Sequence, residues 1–393
     1  MKLFLLVAAI PMMLFSEPVQ TDYAIFLFDN GDKNMIASML KYAEENEKPL
    51  LDTLDFRIIF MGASIDAMHT EPFCHYPNKL VHYKQLGIEE SIDRHWKRDK
   101  QLEPESLIRL EKNLIANKKI WVGVSCTIFE QIIRQFQKKV DILALRDNPS
   151  PDGDTDYFRI ADAVQNTAHK VAVPSAAVSE KLDSSSKKIA IVGQPSIEEW
   201  QMQAQRIDKE TIIKQLGLNP KLPIIVYAGV YGDFYTSCFE KFLDILPDAH
   251  VQVLIAPHPR YKGVVEAPLL AARKFKNAQC TMIGDFVEDP LKNIKTVEAL
   301  AIADFVVTAD ATSTVVFQAN ALQKKVLYVN ENSSEVSQAF CDKKLIQRIS
   351  TREKFIEAIS KKNDNEGQDV FELLGIPKQG AKLLWNELLK EVK

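Results

Sequence analysis

Short apolar, β-branched runs alternate with helix-like segments along the first half of the chain. Six runs predict strands, at Tyr23–Phe28, Phe56–Met61, Lys119–Val124, Val140–Leu145, Lys170–Val173 and Lys188–Val192. Helical patterns between them include Asn34–Glu45, Pro104–Ala116 and Thr127–Gln137. Strands without regular polar alternation are typical of parallel sheets that are covered on both faces. Together with the crossover helices, this pattern predicts a parallel α/β sheet.

The same rhythm restarts after an irregular stretch near residues 193–222. The predicted strands are Pro223–Ala228, Val251–Ala256, Gln279–Ile283, Ala303–Thr308 and Lys325–Val329. The predicted helices include Phe234–Leu246, Thr296–Ala301 and Thr314–Leu322. We therefore expect two doubly wound α/β domains that face each other across a cleft, one over residues 21–195 and one over 196–372.

The C-terminal segment, residues 373–393, ends in an amphipathic pattern. The stripe that docks this final helix on a domain surface is predicted to comprise Ala381, Leu384, Trp385, Leu388 and Val392.

Composition and charge exclude several classes of protein. The 393 residues are 46% hydrophobic and 26% charged, with a net charge of -4. This balance excludes a strongly basic protein that coats nucleic acid. Five scattered cysteines without a CxxC pair indicate neither a zinc module nor a dense disulfide framework.

The N-terminal residues 1–20 have the features of a secretory signal peptide. Lys2 precedes an apolar run from Leu3 to Phe15, which is followed by Ser16-Glu17-Pro18. An uncleaved membrane anchor or a buried first strand are the alternatives. Export or membrane association is expected, and the body faces the cytoplasm if the segment is retained as an anchor.

Three loops that follow strands in the second half carry candidate chemistry. Gly229-Val230-Tyr231-Gly232 follows the first of these strands, and its glycines let a phosphate approach the backbone. A tight turn is the alternative. Pro257-His258-Pro259-Arg260 places a histidine and an arginine at the next strand end. A solvated basic loop is the alternative there.

The third loop, Thr308–Thr314, is the most specific. Asp310, Thr312, Ser313 and Thr314 lie where a strand gives way to a helix, and hydroxyls with the first helical N–H groups form an anion cradle. N-capping alone is the alternative, but it needs one hydroxyl residue and not three.

This order of motifs resembles the nucleotide-binding half of the GT-B-fold glycosyltransferases. It also resembles the UDP-N-acetylglucosamine 2-epimerases and the CDP-glycerol glycerophosphotransferases. The resemblance implies two Rossmann-like domains with the donor phosphates near Gly229, Tyr231 and Gly232. It implies that His258 and Arg260 face the donor, and that the Asp310–Thr314 loop binds the diphosphate. Gln318 stands where such proteins commonly carry an acidic residue for the ribose hydroxyls.

The acceptor side offers carboxylates that follow strands of the first half. Asp29, Asp32 and Asp147 are candidate general bases, with turn or capping roles as the alternative. His69 and His75 are candidates for an acceptor loop, and His95–Lys100 is interpreted as an exposed basic helix face. No metal or nucleophile motif is present, so no metal and no cofactor beyond a nucleotide-activated donor are expected.

The leading hypothesis is a transferase that moves a sugar or polyol-phosphate group from a nucleotide-activated donor to an acceptor hydroxyl in cell-envelope glycoconjugate synthesis. The acceptor is a glycan, lipid or polyol, and no nucleic acid partner is expected. The alternatives are a UDP-sugar 2-epimerase and a non-catalytic exported protein that keeps the scaffold for ligand binding.

Overall fold

A computed structural model describes residues 17–153, 155–182, 188–230, 232, 234–246, 250–259, 261–330, 334–360 and 368–390. It contains two fully parallel sheets of seven and six strands, with helices on both faces of each. The predicted α/β fold class is confirmed. Within these residues, no helix is both long enough and apolar enough to cross a bilayer.

The first sheet is built from the N-terminal half of the chain. Its strands are β1 (Val19–Leu27), β2 (Phe56–Phe60), β3 (Leu80–His82), β4 (Leu114–Gly123), β5 (Asp141–Leu145), β6 (Lys170–Val173) and β7 (Lys188–Ile191). The helices that accompany it are α1 (Asn30–Asn46), α2 (Lys48–Thr53), α3 (Pro104–Asn113), α4 (Thr127–Phe136), α5 (Asp156–Thr167) and α6 (Ala176–Lys181).

The second sheet follows two helices, α7 (Pro195–Arg206) and α8 (Lys209–Gln215). Its strands are β8 (Ile224–Ala228), β9 (Gln252–Ala256), β10 (Gln279–Met282), β11 (Phe305–Thr308), β12 (Lys325–Tyr328) and β13 (Gln347–Arg348). The remaining helices are α9 (Tyr235–Ile245), α10 (Glu266–Ala271), α11 (Thr296–Ile302), α12 (Thr314–Ala321), α13 (Glu335–Asp342), α14 (Arg352–Ser360), α15 (Val370–Leu374) and α16 (Gly380–Leu389).

Both sheets have the same doubly wound strand order. The first runs β3-β2-β1-β4-β5-β6-β7 and the second β10-β9-β8-β11-β12-β13. The direction of winding therefore reverses between β1 and β4, and again between β8 and β11. Ligands of open α/β sheets bind at the carboxyl ends of strands beside such a reversal. Each half of the chain has one crevice of this kind.

Strict alternation along the central strands builds a core on each face of each sheet. Ala24 and Phe26 of β1 pack toward α3, α4 and α5, whereas Ile25 and Leu27 pack toward α1 and α16. In β8, Val226 packs toward α11 and α12, and the intervening residues pack toward α9 and α14. These strands read as continuous apolar runs because both of their faces are buried.

The structure corrects three sequence expectations at the edges of elements. The predicted helix over Pro104–Ala116 ends at Asn113, because Leu114 pairs with Val19 and begins β4. The strand β1 accordingly begins at Val19, before the predicted end of the signal-like segment, and residues 1–16 lie outside the described residues. The short edge strands β3 and β13 were not predicted. The predicted domain boundaries stay predictions.

The final helix returns to the first sheet and docks on α1. Leu384, Trp385 and Leu388 of the predicted stripe are buried in the core of that sheet, and Val392 lies outside the described residues. The ammonium of Lys119 donates to the carbonyl oxygens of Glu387 (3.2 Å) and Leu388 (3.4 Å) near the end of α16. A buried cation at a helix C-terminus satisfies carbonyls that have no partner within the helix. The chain end thus ties the second half of the chain to the first.

Replacing Trp385 by alanine tests this anchor. The side chain is 1% exposed, so Trp385→Ala should lower the free energy of unfolding by about 3–5 kcal/mol through lost burial and the cavity left behind. Urea denaturation measures the change. Asn386→Ala, on the exposed side of the same helix, should stay within about 0.5 kcal/mol of wild type. Equal effects of the two substitutions would contradict the docking.

Candidate functional site

The three predicted donor loops lie side by side at the carboxyl edge of the second sheet. Ala256, Ala228 and Thr308 end β9, β8 and β11, and the register places Ala228 level with both of the others. The loops that follow therefore leave the sheet at one height, around the reversal between β8 and β11. The structure brings the three predicted segments together.

The glycine loop and the histidine loop pack directly on each other. The Gly229 N–H donates to the Ala256 carbonyl at 2.8 Å. A Cβ atom at Gly229 would lie 2.5 Å from the backbone nitrogen of His258, so only glycine fits this contact. His258 itself is half-buried. Tyr231 and Arg260, the other predicted donor contacts here, lie outside the described residues.

A buried aromatic layer supports both loops from behind. The Tyr261 ring stacks on Tyr235 with centroids 5.7 Å apart, and the Gly232 N–H lies 3.4 Å from the Tyr261 hydroxyl. The Tyr235 hydroxyl donates to Glu266, which is fully buried. Burial raises the pKa of the Glu266 carboxyl. These contacts fix the loop that carries His258 before any ligand arrives.

Two residues of the third loop, Asp310 and Thr312, hydrogen-bond to each other and set the conformation of the loop. The Asp310 carboxylate accepts hydrogen bonds from the Thr312 N–H and from the Thr312 hydroxyl, both at 2.8 Å. This local turn is the usual behaviour of an aspartate near a helix start. Asp310 and Thr312 thus set the geometry of the loop, and the Thr312 hydroxyl is already committed as a donor.

The first residues of α12 keep their hydroxyls available. Ser313 stands at the N-cap, yet its side chain makes no capping hydrogen bond, and Thr314 is the first residue of the helix. Both side chains are half-buried. Gln318 lies one turn further along, on the same helix face as Thr314. A helix N-terminus whose hydroxyl and N–H groups are available for hydrogen bonding is suited to binding an anion.

The three candidate bases converge at the carboxyl edge of the first sheet, but their environments differ. Both oxygens of Asp32 accept backbone N–H groups, from Phe28, Asp29 and Lys33, each at 2.9 Å. Asp32 is therefore a buried capping residue of α1. The Asp29 carboxylate instead forms a 2.5 Å ion pair with the Arg98 guanidinium.

Asp147 is the third carboxylate, at the end of β5. Its Oδ1 atom accepts a 2.5 Å hydrogen bond from the Tyr157 hydroxyl. Its Oδ2 atom lies against Gly31, where a Cβ atom would fall only 1.6 Å away. Burial raises the pKa of Asp147, the Tyr157 hydrogen bond opposes this rise, and the Asp29 charge adds to it. A raised pKa brings a carboxyl closer to the range in which it can accept a proton near neutral pH.

Two partners of these carboxylates were missed by sequence reasoning. Arg98 lies in the segment interpreted as an exposed basic helix face, but His95–Lys100 is not helical and Arg98 turns inward to Asp29. The Arg98 guanidinium also lies 5.6 Å from the Tyr157 ring centroid. Arg98 stands in a run of basic residues, so the sequence does not distinguish it from solvent-exposed cations. Tyr157 has the pattern of an ordinary core residue of an amphipathic helix.

The two crevices meet through the residue that follows Asp147. The Asn148 side chain donates to the Thr312 carbonyl at 3.0 Å, from one half of the chain to the other. The Gln194 side chain donates to the Asp147 carbonyl. Elsewhere between α7 and α1, Glu199 accepts from the Ser38 hydroxyl at 2.7 Å. The candidate base is therefore one residue away from a direct contact with the phosphate-suited loop.

Unpaired polar atoms also gather around this meeting point. Within the described part of the chain, the Ser125 hydroxyl, the Gln194 side-chain oxygen and the Arg98 Nε atom are buried without a hydrogen-bond partner. Ser125 follows β4, and a Cβ atom at neighbouring Gly123 would lie 2.5 Å from Asp32 Oδ2. Buried polar atoms are nearly always paired in proteins, so such a group indicates a place for solvent or ligand.

The two histidines proposed for an acceptor loop lie elsewhere. His75 Nδ1 is 3.2 Å from the Glu44 carboxylate, near the far end of α1. At 1.5 Å per residue, that point is about 20 Å along the helix from its start beside Asp147. His69 is exposed. Among the described residues, no group of histidine, cysteine or acidic side chains is arranged to hold a metal ion; the metal-free chemistry expected above stays a prediction.

The contact between Gly31 and Asp147 can be tested by a double-mutant cycle. Gly31→Ala should lower the free energy of unfolding by about 1–3 kcal/mol, because its methyl group overlaps the Asp147 carboxylate. In an Asp147→Ala background the same change should cost less than about 0.5 kcal/mol. Urea denaturation of the four proteins gives both values. A cost that is the same in both backgrounds would show that Gly31 and Asp147 are not in contact.

Comparison with known proteins identifies the architecture. No protein-family model matches the sequence, and no curated protein matches it. The UDP-GlcNAc 2-epimerase from Neisseria meningitidis is similar in structure, with a TM-score of 0.59 at 11% identity over 95% of this chain and 100% of that chain. The epimerase from Methanocaldococcus jannaschii gives 0.59 at 12% identity, over 95% and 100% of the two chains. The wall teichoic acid polymerase TagF gives 0.52 at 13% identity, over 93% of this chain and 88% of that chain. At such identities the similarity concerns the fold, and the chain has the GT-B fold that the sequence resemblance predicts.

Proposed function

We propose that this protein is a GT-B transferase that moves a sugar or polyol-phosphate group from a nucleotide-activated donor to an acceptor hydroxyl. The observation that carries the proposal is the Asn148–Thr312 hydrogen bond, which holds the residue next to the buried Asp147 of one half against the loop that leads into α12 of the other. A transferase needs both groups at the same point, because the acceptor is activated where the phosphate departs.

The donor diphosphate binds at the start of α12. Ser313 and Thr314 offer hydroxyls, and the first N–H groups of the helix together with its dipole favour negative charge. His258 and the glycine loop lie on the adjacent strand ends, where the donor continues across the sheet edge. Gln318 bonds a ribose hydroxyl through its amide, which is weaker than a carboxylate in this role. Similar GT-B structures were determined with UDP-GlcNAc bound, which supports a nucleotide-sugar donor.

Asp147 is the general base by comparison with its two neighbours. Both carboxylate oxygens of Asp32 already accept backbone N–H groups, and Asp29 forms an ion pair with Arg98. Asp147 is oriented by the Tyr157 hydroxyl, and its other oxygen faces Gly31. Burial raises the pKa of both Asp147 and Asp32, so the hydrogen-bond partners and not the pKa distinguish the two. It accepts the proton of the acceptor hydroxyl as the oxygen attacks the donor. The bond to the departing phosphate breaks, and the new negative charge is stabilised at the start of α12.

A second candidate function is a UDP-sugar 2-epimerase. The buried Asp29–Asp147 neighbourhood supplies the adjacent carboxyl groups that proton transfer at a sugar ring requires. Incubation with UDP-N-acetylglucosamine separates the two, because an epimerase yields an isomeric sugar nucleotide and a transferase releases free nucleotide.

The compartment follows from the donor. Nucleotide-activated sugars are scarce outside the cytoplasm, so the proposal has the body facing the cytoplasm, with the segment that precedes β1 retained as an anchor. N-terminal sequencing of the protein from fractionated cells tests this. An exported protein that lacks Met1–Ser16 would instead favour a non-catalytic binding protein.

Substitutions at Asp147 and at α12 should separate catalysis from binding. Asp147→Asn should lower the rate of nucleotide release from the donor by about 10²–10⁴-fold and leave donor affinity nearly unchanged, because it removes only the base. Ser313→Ala with Thr314→Ala should weaken donor binding by about tenfold to a hundredfold through two lost hydrogen bonds to phosphate.

The matched control for the pair at α12 is Ser237→Ala, an exposed hydroxyl in α9 that should change neither quantity. A panel of UDP-, CDP- and GDP-linked donors is assayed for free nucleotide. Wild-type activity of Asp147→Asn on a donor that the protein turns over would exclude Asp147 as the base.

The Tyr157–Asp147 hydrogen bond predicts a pH effect. The bond stabilises the ionised carboxylate, so it lowers the pKa of Asp147. The base must be ionised to act, and the rate therefore falls as the pH drops through this pKa. Tyr157→Phe should raise that pKa and move the acid limb of the kcat/KM profile to higher pH. The exposed neighbour variant Asp156→Asn should leave the limb in place, and a shared shift in both variants would contradict the assignment.

A further inference from the structure

The second domain contains a polar pocket that the proposed reaction does not use. The pocket has a volume of about 500 Å³, within the range of small-molecule sites. It lies at the outer edge of the second sheet, because β13 pairs only with Leu327 and Tyr328 and leaves the first half of β12 uncovered. We call it the Arg348 pocket. Its described lining consists of Asn320, Lys325, Val326, Gln338, Cys341, Lys344, Ile346, Gln347, Arg348 and Gln368.

The charge of this lining has one sign. Lys325, Lys344 and Arg348 contribute three cations, the other polar groups are mostly amides, and no acidic residue is among the described lining. Among the described residues, the nearest carboxylates along the chain have other partners. Asp342 accepts from the Gln338 amide at 2.8 Å, and Asp369 caps the N-terminus of α15. In the part of the chain that the structure describes, neither lysine forms an ion pair. Like charges held together in a concave surface favour an anion.

The guanidinium of Arg348 is held in place before a ligand binds. Its Nη2 atom donates to the Ser337 hydroxyl at 2.9 Å, and its central carbon lies 6.0 Å from the Tyr328 ring centroid. Its Nε atom is buried and has no hydrogen-bond partner among the described residues. A fixed guanidinium with an unpaired N–H is suited to the oxygens of a phosphate group, because it offers parallel donors in one plane.

From these observations, we propose that the Arg348 pocket binds a phosphate-bearing small molecule at a site separate from the α12 start. Asn320 of α12 lines the pocket at the opposite end of the helix from Ser313 and Thr314. Three cations around one pocket match a ligand that carries two or more negative charges. The ligand therefore binds the second domain independently of the donor.

Cysteine labelling tests the site in the full-length protein. Cys341 lines the pocket, whereas Cys74 is exposed in the first half and serves as an internal control. Inorganic diphosphate should slow iodoacetamide labelling of Cys341 about tenfold at about ten times its Kd, and leave Cys74 unchanged. Sodium chloride at equal ionic strength should protect neither residue. Unchanged labelling of Cys341 over the full range of diphosphate would overturn the proposal.

Three variants locate the bound anion. Arg348→Gln and Lys325→Gln should each abolish the protection of Cys341. Lys325 lies at a strand end, so its substitution should leave the core of the protein intact. Lys343→Gln, an exposed neighbour outside the lining, should keep it. The Ser313→Ala, Thr314→Ala protein should also keep it, even if that protein no longer binds a donor. Protection that survives Arg348→Gln and Lys325→Gln, or that is lost with Ser313 and Thr314, would overturn the proposal.

Discussion

A parallel strand delivers its following loop to one edge of the sheet, and every part of the candidate site depends on this constraint. In the second sheet, β9, β8 and β11 end level with one another, so a glycine loop, a histidine loop and a helix start share one crevice. In the first sheet, the loops after β1 and β5 bring three carboxylates together. The Asn148–Thr312 hydrogen bond then sets one crevice against the other. The proposed chemistry depends on this placement, because the candidate base and the phosphate-suited loop belong to different halves of the chain.

The three buried carboxylates of the first half have different partners, and this difference is the basis on which Asp147 is proposed as the base. Carboxylates packed together repel, and burial penalises each of them further. Backbone N–H groups lower the pKa of Asp32, yet burial and the neighbouring carboxylates leave it raised well above its ordinary value, and Asp29 is paired with Arg98. Asp147 is left with a neutral donor, Tyr157, and a close backbone contact at Gly31. A neutral partner orients a carboxylate without fixing its charge, which is the property a proton acceptor needs.

Much of the fold could be predicted from the sequence because its central strands are buried on both faces, whereas β7 and β10 are more exposed. All eleven predicted strands exist, since continuous β-branched runs have few other solutions. The edge strands β3 and β13 were missed because two or three residues carry no periodic signal. The end of α3 was missed because the pairing of Leu114 with Val19 overrides a helical pattern. Such pairings connect residues distant in sequence, and local patterns do not encode them.

The sequence predicts the loops of the candidate site but not the residues that hydrogen-bond or ion-pair with its carboxylates. Position after a strand is a local property, so Gly229, His258 and Thr314 could be chosen from the sequence. The roles of Thr312 and Asp32 depend on hydrogen bonds within a formed loop, and both residues turn out to shape the backbone. Arg98 and Tyr157 were missed because only the tertiary fold brings them to Asp29 and Asp147.

Calorimetric titration with nucleotides is the direct test of a phosphate site at the start of α12. UDP, CDP, GDP and CMP are titrated into the wild-type protein and into the Ser313→Ala, Thr314→Ala protein. At least one nucleotide should bind the wild type and bind the double variant about tenfold or more weakly. No heat of binding across the whole panel, or equal affinity for both proteins, would contradict a phosphate site at the start of α12.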